Sequence, residues 1–410
     1  MWPSLRRGLT LAGVIVLLGA LLAGCAARPG AETSGAAYRL TRCGGASSTA
    51  ASSAEDAGLT PVYASTVGGS LFALASNNGA TLWCDKFTVA RTFTCPSNAS
   101  CPAPPQAIVG KPLVVDGAIY VCVSGYAGVT YARNASDGSV RWMRQTNCMV
   151  AAIPFQDYAT PTLAGDTLFS GSDALDPHDG AVRWRLPDGA TPGVVADGAL
   201  YGYTQQAVFA WDAQNGKQIW SYPLPDLIGS APTMANGVLY VGDIGGDSPP
   251  AATPDQPGTF ALDARTGKLL WRAPTGIASG SPLVVGGVVY VGGYGPAMFA
   301  LNATNGRIIW RDNTASARPG APIIRDGVVY FTADGVYAVD TATGRLRWRQ
   351  ALGAGSSIVF TDVALAPGAL YFGRTGGDGA STLYALNPSD GSILWTRNGL
   401  NQVGPPVAPS

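Results

Sequence analysis

The chain has 410 residues, of which 47% are hydrophobic and 13% charged, and this composition excludes an intrinsically disordered protein. Its 26 Lys and Arg residues balance 26 Asp and Glu residues, so no net electrostatic field directs it to nucleic acid. The 54 glycines and 10 tryptophans favour a fold built from many short strands and tight turns.

The first residues of the chain have the pattern of an export signal. Arg6 and Arg7 precede the apolar segment 9–22, which is too short to be a comfortable membrane span. Residues 1–24 are therefore predicted to be a signal peptide that is removed from the mature protein.

The end of this segment carries a lipidation pattern. Residues 22–25, which end in Cys25, resemble the bacterial lipobox. The resemblance implies cleavage before Cys25 and two or more acyl chains on it, which are enough for stable anchoring; an ordinary signal peptide with a chance cysteine is the alternative. Residues 25–59 are mostly small and polar and are predicted to form the lipidated cysteine and a flexible tether. The expected location is the cell membrane or outer membrane of a bacterium.

Six further cysteines follow the predicted anchor. Their even number, together with the export signal, favours three disulfides. Cys95–Cys101 is the one pairing we name, because it closes a short loop. The single histidine and the absence of a CxxC pair argue against a zinc site. The six cysteines are Cys43, Cys84, Cys95, Cys101, Cys122 and Cys148.

One motif recurs eight times with identical internal spacing. It places Asp or Asn two residues after an Ala, Gly four residues later and Trp four residues after that, with Ala75 at the Asp position of the first copy. The Asp or Asn and the Gly predict a tight turn, and each indole is expected to pack against the neighbouring unit. The eight predicted docking residues are Trp83, Trp142, Trp184, Trp220, Trp271, Trp310, Trp348 and Trp395.

A second pattern lies between successive tryptophans. Apolar residues flank a Gly turn in segments such as 281–290 and 321–330, which is a hairpin signal. Each unit of about 40 residues then has four strands, A to D, as propeller blades do. The first unit begins with strand B at Pro61, and the chain ends with an orphan apolar segment, 404–409. Residues 60–410 are therefore predicted to be an all-β, eight-bladed propeller of four-stranded antiparallel blades, closed by the C-terminal strand joining the first blade.

The copy at residues 261–271 resembles the tryptophan-docking motif of pyrroloquinoline quinone (PQQ) propellers, and the resemblance extends over residues 60–409. This family includes quinoprotein dehydrogenases and noncatalytic BamB-like lipoproteins of outer-membrane protein assembly. The enzymes are expected to hold Ca²⁺ with Glu, Asn and Asp, and many have a disulfide between adjacent cysteines. Here Glu32 and Glu55 are the only glutamates, and no two cysteines are adjacent.

The resemblance therefore implies a noncatalytic, BamB-like scaffold that binds an envelope protein, with no catalytic residue, no metal and no cofactor. The alternatives are a PQQ- and Ca²⁺-dependent oxidoreductase and a surface module that binds polysaccharide. A wall of Ala, Gly and Val on the inner strands would favour the scaffold, and a cluster of Asp, Asn and Arg would favour the enzyme.

The longest insertions share one end of the predicted ring. With strand A innermost, the B–C and D–A connections open on one face, which we call the loop face, and the A–B and C–D turns open on the other, the turn face. Insertions of this kind often carry function, so the loop face is the predicted partner-binding surface. Its long connections are residues 85–109, 143–158, 245–258 and 374–381.

Overall fold

The structure, a computed structural model, describes fourteen stretches of the chain, and these consist of strands, turns and irregular segments. The predicted signal peptide, Cys25, Cys95 and Cys101 lie outside them. Within the described residues, no helix is long and apolar enough to cross a membrane. The described residues are 38–43, 60–89, 108–124, 128–148, 160–187, 189–204, 207–224, 231–242, 258–276, 279–293, 297–313, 315, 319–352 and 359–408.

The first four blades account for the first half of the strands. Blade 1 contains β1 (Tyr38–Arg42), β2 (Pro61–Ser65), β3 (Ser70–Ala75) and β4 (Thr81–Val89). Blade 2 contains β5 (Ile108–Val109), β6 (Leu113–Val115), β7 (Ala118–Ser124), β8 (Gly128–Asn134) and β9 (Val140–Thr146). Blade 3 contains β10 (Thr162–Ala164), β11 (Thr167–Ser170), β12 (Asp173–Leu175) and β13 (Val182–Arg185). Blade 4 contains β14 (Thr191–Ala196), β15 (Ala199–Tyr203), β16 (Ala207–Asp212) and β17 (Gln218–Pro223).

The remaining strands form four more blades. Blade 5 contains β18 (Thr233–Ala235), β19 (Val238–Gly242), β20 (Thr259–Asp263) and β21 (Leu269–Ala273). Blade 6 contains β22 (Ser279–Val285), β23 (Val288–Gly293), β24 (Ala297–Asn302) and β25 (Ile308–Asp312). Blade 7 contains β26 (Ile323–Arg325), β27 (Val328–Thr332), β28 (Gly335–Asp340) and β29 (Leu346–Ala351). Blade 8 contains β30 (Val359–Phe360), β31 (Ala364–Ala366), β32 (Ala369–Thr375), β33 (Ala380–Leu386) and β34 (Ile393–Asn401).

Each blade is an antiparallel meander in chain order, and together the eight blades form the predicted propeller. Blades 3 to 7 are four-stranded sheets with the order A–B–C–D, and blades 2 and 8 divide their inner strand into two short pieces. The core lies between blades: one cluster joins Tyr240 and Trp271 of blade 5 to Val289 and Phe299 of blade 6. The eight-bladed, all-β prediction is confirmed.

The C-terminal segment closes the ring, as predicted from the orphan apolar run. Val407 and Tyr63 exchange two backbone hydrogen bonds of 2.8 Å, and the Gly404 N–H donates to the Ser65 carbonyl at 2.8 Å. Val403 is buried beside Leu74 and Leu383, in a cluster shared by the first and last blades. The tail thus supplies the inner strand that β2 would otherwise lack, and it covers an exposed sheet edge.

Blade 1 also gains an outer strand that the sequence did not predict. β1 pairs antiparallel with β4, from Tyr38 opposite Val89 to Arg42 opposite Asp85. The predicted tether of residues 25–59 therefore contains a strand. The physical reason is the length of β4: its nine residues offer a long outer edge, and the alternating sequence of residues 38–42 can pair along it.

Candidate functional site

The docking tryptophans join each blade to the next. Seven of the eight indole N–H groups donate to a backbone carbonyl in the C–D turn of the following blade, at 2.8–3.1 Å. Trp271 bonds Ala303 in this way, and Trp395 of the last blade bonds Ser76 of the first. The indoles therefore link neighbouring blades and stabilise the ring.

A tyrosine on strand B strengthens most of these contacts. Six tyrosine hydroxyls donate to the same carbonyl that receives the tryptophan N–H, at 3.1–3.3 Å. Tyr63 and Trp83, for example, converge on Ala135, with their ring centroids 6.1 Å apart. Burial raises the pKa of Tyr63 to about 12, so its hydroxyl remains a donor at neutral pH. This second donor was not predicted from the sequence.

The motif glycine lies directly beneath the indole of the preceding blade. A Cβ at any of the eight positions would lie 2.5–2.8 Å from a ring carbon. Gly267, for example, faces Trp220, and Gly79 of the first blade faces Trp395 of the last. All eight glycines have positive φ, at +67° to +74°, as the predicted tight turns require. The close approach of the indole is a second and independent requirement.

The junction between blades 3 and 4 departs from this pattern. Phe169 replaces the tyrosine and meets Trp184 edge-on at 5.6 Å, and the Trp184 N–H has no hydrogen-bond partner. Trp211, which occupies a position that is Leu in five of the eight copies, is 1% exposed and packs in the same cluster as Phe169 and Trp184. This junction therefore depends on apolar packing where the others also use hydrogen bonds.

Two disulfides lie in the described residues, and both belong to the first two blades. Cys43, directly after β1, is bonded to Cys84 on β4, with their Cα atoms 5.5 Å apart. Cys122 on β7 is bonded to Cys148, which follows β9, and both are fully buried. The proposed pairing of Cys95 with Cys101 lies outside the described residues and stays a prediction.

A buried ion pair joins the same two blades. Arg133 is 1% exposed and forms an ion pair with Asp85 on β4. Its Nε donates to the Gly138 carbonyl at 2.8 Å, and its guanidinium lies 5.5 Å from the centre of the Phe87 ring. A charge at this depth requires such partners. The signal in the sequence was the break of the motif, because other copies have an apolar residue after the Ala.

The inner strands carry small and apolar side chains. β10, β18 and β31 read Thr-Leu-Ala, Thr-Met-Ala and Ala-Leu-Ala. Within the bounds of the described inner strands the one charged residue is Arg325, whose guanidinium donates to the Ala366 carbonyl at 2.8 Å. Lys111 and Asp362 lie between the two inner pieces of blades 2 and 8. The described inner strands are thus mostly small and apolar in sequence. The described residues also contain no group of three or more His, Cys, Asp or Glu side chains that could hold a metal ion.

The loop face is described only where it borders strands. Of the four predicted connections, residues 374–381 are described throughout; they comprise the end of β32, the turn 376–379 and the start of β33. There the Thr375 and Ser381 hydroxyls lie 2.7 Å apart, and the Arg374 Nε donates to the Leu352 carbonyl at 2.8 Å. Most of the other three connections lies outside the described residues, so their part in binding stays a prediction.

Carboxylates in the C–D turns, on the turn face, have pKa values that hydrogen bonds lower. Asp340 accepts a hydrogen bond of 2.7 Å from Arg347 and further bonds from Thr343, and these partners lower its pKa to about 2. The pKa of Asp176 is lowered chiefly by its hydrogen bond with Arg183, and that of Asp263 by its bonds with Thr266. These groups stabilise the C–D turns.

Solved structures share this fold. BamB from Moraxella catarrhalis superposes with a TM-score of 0.55 at 15% identity, over 78% of this chain and 92% of that one. Quinohemoprotein alcohol dehydrogenase from Comamonas testosteroni gives 0.52 at 16% identity, over 71% of this chain and 67% of that one. At these identities the likeness shows the fold alone.

Curated relatives of both kinds match parts of the chain. Outer membrane protein assembly factor BamB of Yersinia pestis is 25% identical over 177 residues, covering 38% of this chain and 42% of that protein. Polyvinylalcohol dehydrogenase of Sphingopyxis sp. (strain 113P3) is 30% identical over 219 residues, covering 46% of this chain and 32% of that enzyme. The chain thus spans less than half the length of these relatives.

The family comparison covers more of the chain than either of these curated relatives. The model described as outer membrane protein assembly factor BamB matches three successive segments, residues 38–174, 173–252 and 258–404. These segments contain all eight docking tryptophans and β1. Because the match extends over most of its length, the chain belongs to the family of outer membrane protein assembly factor BamB.

Proposed function

We propose that this protein is a noncatalytic scaffold, lipid-anchored through Cys25, which binds a protein partner during BamB-like assembly of outer-membrane proteins. The observation that carries the proposal is the family match along residues 38–404. The site geometry supports it. The conspicuous aromatic side chains are used in the junctions between blades, and the described inner strands are apolar. What remains for function is a rigid ring with variable connections at one end.

The partner surface in this proposal is the loop face. Connections on this face vary in length, whereas the turn face repeats one short C–D turn in every blade. A rigid ring that presents variable loops is a common arrangement for binding sites. If the cell that makes the protein has no outer membrane, the proposal reduces to a binding scaffold on the cell surface.

The experiment is site-specific photocrosslinking of the lipidated chain in its own membranes. A photoreactive amino acid replaces Asp378, which is exposed on the loop face, or Ser389, which is exposed on the turn face as the matched control. The proposal expects one specific protein adduct from the Asp378 position and none from the Ser389 position. Equal adducts from both positions, or none from either, would contradict it.

A second function is favoured by the dehydrogenase relatives. We therefore keep a PQQ- and Ca²⁺-dependent oxidoreductase as the alternative, because polyvinylalcohol dehydrogenase matches at an identity similar to that of BamB. The described residues do not fit such a site. Residues 60–410 contain no glutamate. The described inner strands carry no carboxylate within their bounds, and Asp362, between β30 and β31, accepts a hydrogen bond from the Ala321 N–H at 2.9 Å. Alcohol oxidation coupled to a dye after addition of PQQ and Ca²⁺, with the quinone absorbance band, would establish the alternative and contradict the scaffold.

A further inference from the structure

The start of strand D leaves aliphatic side chains exposed on the outer rim of the ring, beside the turn face. A single exposed aliphatic residue here recurs in several blades and is ordinary for a protein surface. Blades 5 and 6 are the neighbouring pair in which both residues before the tryptophan are large, apolar and exposed, and the A–B turn of blade 6 adds one more. These five residues, each 37–49% exposed, form what we call the aliphatic patch: Leu269, Leu270, Val285, Ile308 and Ile309.

The two blades bring their parts of the patch together through the docking contact. The Trp271 N–H donates to the Ala303 carbonyl at 2.8 Å, and a Cβ on Gly306 would lie 2.5 Å from the same indole. Leu270 directly precedes this tryptophan, and Ile308 follows this glycine by two residues. The exposed residues on both sides of the junction therefore belong to one surface.

A cleft extends the aliphatic patch towards blade 7. It has a volume of about 380 Å³ and lies between blades 6 and 7 at the turn face. Val285 and Ile309 of blade 6 and Ile324 of blade 7 line it, and none of its lining side chains is charged. The A–B turn beside it is Gly286 and Gly287, where blades 2, 4 and 7 have Asp-Gly. The surface thus stays free of carboxylates across the cleft.

The charges around the patch are mostly positive. An exposed cation directly precedes each aliphatic pair, Lys268 in blade 5 and Arg307 in blade 6, and Arg265 is exposed in the same turn as Lys268. In these two blades the A–B turn and the C–D segment up to the tryptophan are described throughout, and they contain one carboxylate, Asp263. The same stretches of blades 3 and 4 contain five aspartates and two cations, so the turn face is positive at the patch and negative beside it. These seven residues are Asp166, Asp176, Asp179, Asp197, Asp212, Arg183 and Lys217.

A bilayer with anionic headgroups complements this combination. Aliphatic side chains can enter the acyl region while Lys and Arg extend their charged ends to the headgroups. Each cation near such a surface strengthens binding by about fivefold. The aromatic side chains that usually anchor a protein partner are buried in the junctions here, as Trp271 and Trp310 are. Aliphatic residues bordered by cations therefore favour lipid over protein as the occupant.

We infer that the aliphatic patch on blades 5 and 6 is a membrane-docking surface that recognises an anionic lipid bilayer. The ring meets the membrane at its turn face, through its own side chains and independently of an acyl chain on Cys25. The opposite loop face stays accessible to the proposed protein partner. This activity goes beyond the proposed function and does not depend on it.

The test is photocrosslinking to lipid, with the full chain on nanodiscs of phosphatidylcholine alone or mixed with phosphatidylglycerol. p-Benzoylphenylalanine replaces Leu270 or Ile309 in the patch, or Ile219, which is 53% exposed at the same motif position of blade 4. We expect lipid adducts at positions 270 and 309 that are about tenfold more abundant with the anionic lipid, and few at position 219. Equal labelling of the three positions, or equal labelling in both lipids, would overturn the inference.

Charge reversal tests the electrostatic part while the aliphatic side chains stay in place. Lys268→Glu together with Arg307→Glu is expected to reduce the lipid adducts at position 309 by about tenfold on anionic nanodiscs. Lys217→Glu, at the same motif position of blade 4, is the matched control and is expected to leave them unchanged. All three residues are exposed, so we expect the variants to fold, and their thermal unfolding midpoints check this. An undiminished yield in the double variant contradicts the inference.

The same probes in the cell's own membranes distinguish lipid from protein. Protein adducts at positions 270 and 309 without lipid adducts overturn the inference and leave the loop-face scaffold to its own test at Asp378. Lipid adducts at these positions, with no protein adduct from position 378, support the membrane-docking surface and contradict the proposed function.

Discussion

The contact between motif glycine and indole makes a measurable prediction in blade 5. Gly267→Ala would place a Cβ 2.7 Å from Trp220 of blade 4, at a φ of +71°. Gly237→Ala in the same blade is the matched control, because its φ is +74° and nothing lies within 4 Å of the added carbon. Both variants incur the left-handed backbone cost of roughly 1–2 kcal/mol. The Gly267 variant alone must also displace the indole.

The difference between the two variants therefore isolates the docking contact. Overpacking of a tight site costs about 1–3 kcal/mol, and we expect the free energy of unfolding of the Gly267 variant to be lower than that of the Gly237 variant by this amount. Chemical denaturation monitored by tryptophan fluorescence measures both. Equal stabilities would show that the glycine is needed only for its backbone conformation and would refute the reasoning about the indole.

Three further outcomes test the ring. Trp271→Phe should destabilise the fold by about 1 kcal/mol more than Trp184→Phe, because of these two indoles only that of Trp271 donates a hydrogen bond that the substitution removes. Denaturation midpoints of the two variants measure this difference. Deletion of residues 403–410 should abolish cooperative thermal unfolding, whereas deletion of residues 409–410 should not. Asp340 has a lowered pKa, so its stabilising effect should be present above about pH 4 and be lost as the pH falls towards 2. The variant Asp340→Asn should therefore show a smaller loss of stability over this pH range.

The ring could be predicted because its signal is local and repeated. Each motif fixes a turn, a glycine and an indole within eleven residues, and eight copies with one spacing determine the number of blades. The closing strand followed from counting, since the first blade lacked strand A and the chain ended in an unassigned apolar run. The structure confirms both.

The features that escaped prediction are pairings between distant residues. The two described disulfides join Cys43 to Cys84 and Cys122 to Cys148, across 41 and 26 residues, and six cysteines allow 15 connectivities. β1 was missed because five alternating residues in a small, polar segment are a weak strand signal, and only the exposed edge of β4 gives them a partner. The ion pair of Arg133 with Asp85 was likewise not predictable, because it forms only where blade 2 packs against blade 1.

The groups that hold the blades together and the connections that vary lie at opposite faces of the ring, and this separation explains why one fold serves both scaffolds and dehydrogenases. Every junction uses a tryptophan at the start of strand D and a glycine in the next C–D turn, and seven of the eight also use a carbonyl there, all near the turn face. None of these groups constrains the B–C and D–A connections at the other end. Sequence can therefore vary at the loop face without opening the ring, which is why we propose that face as the partner-binding surface.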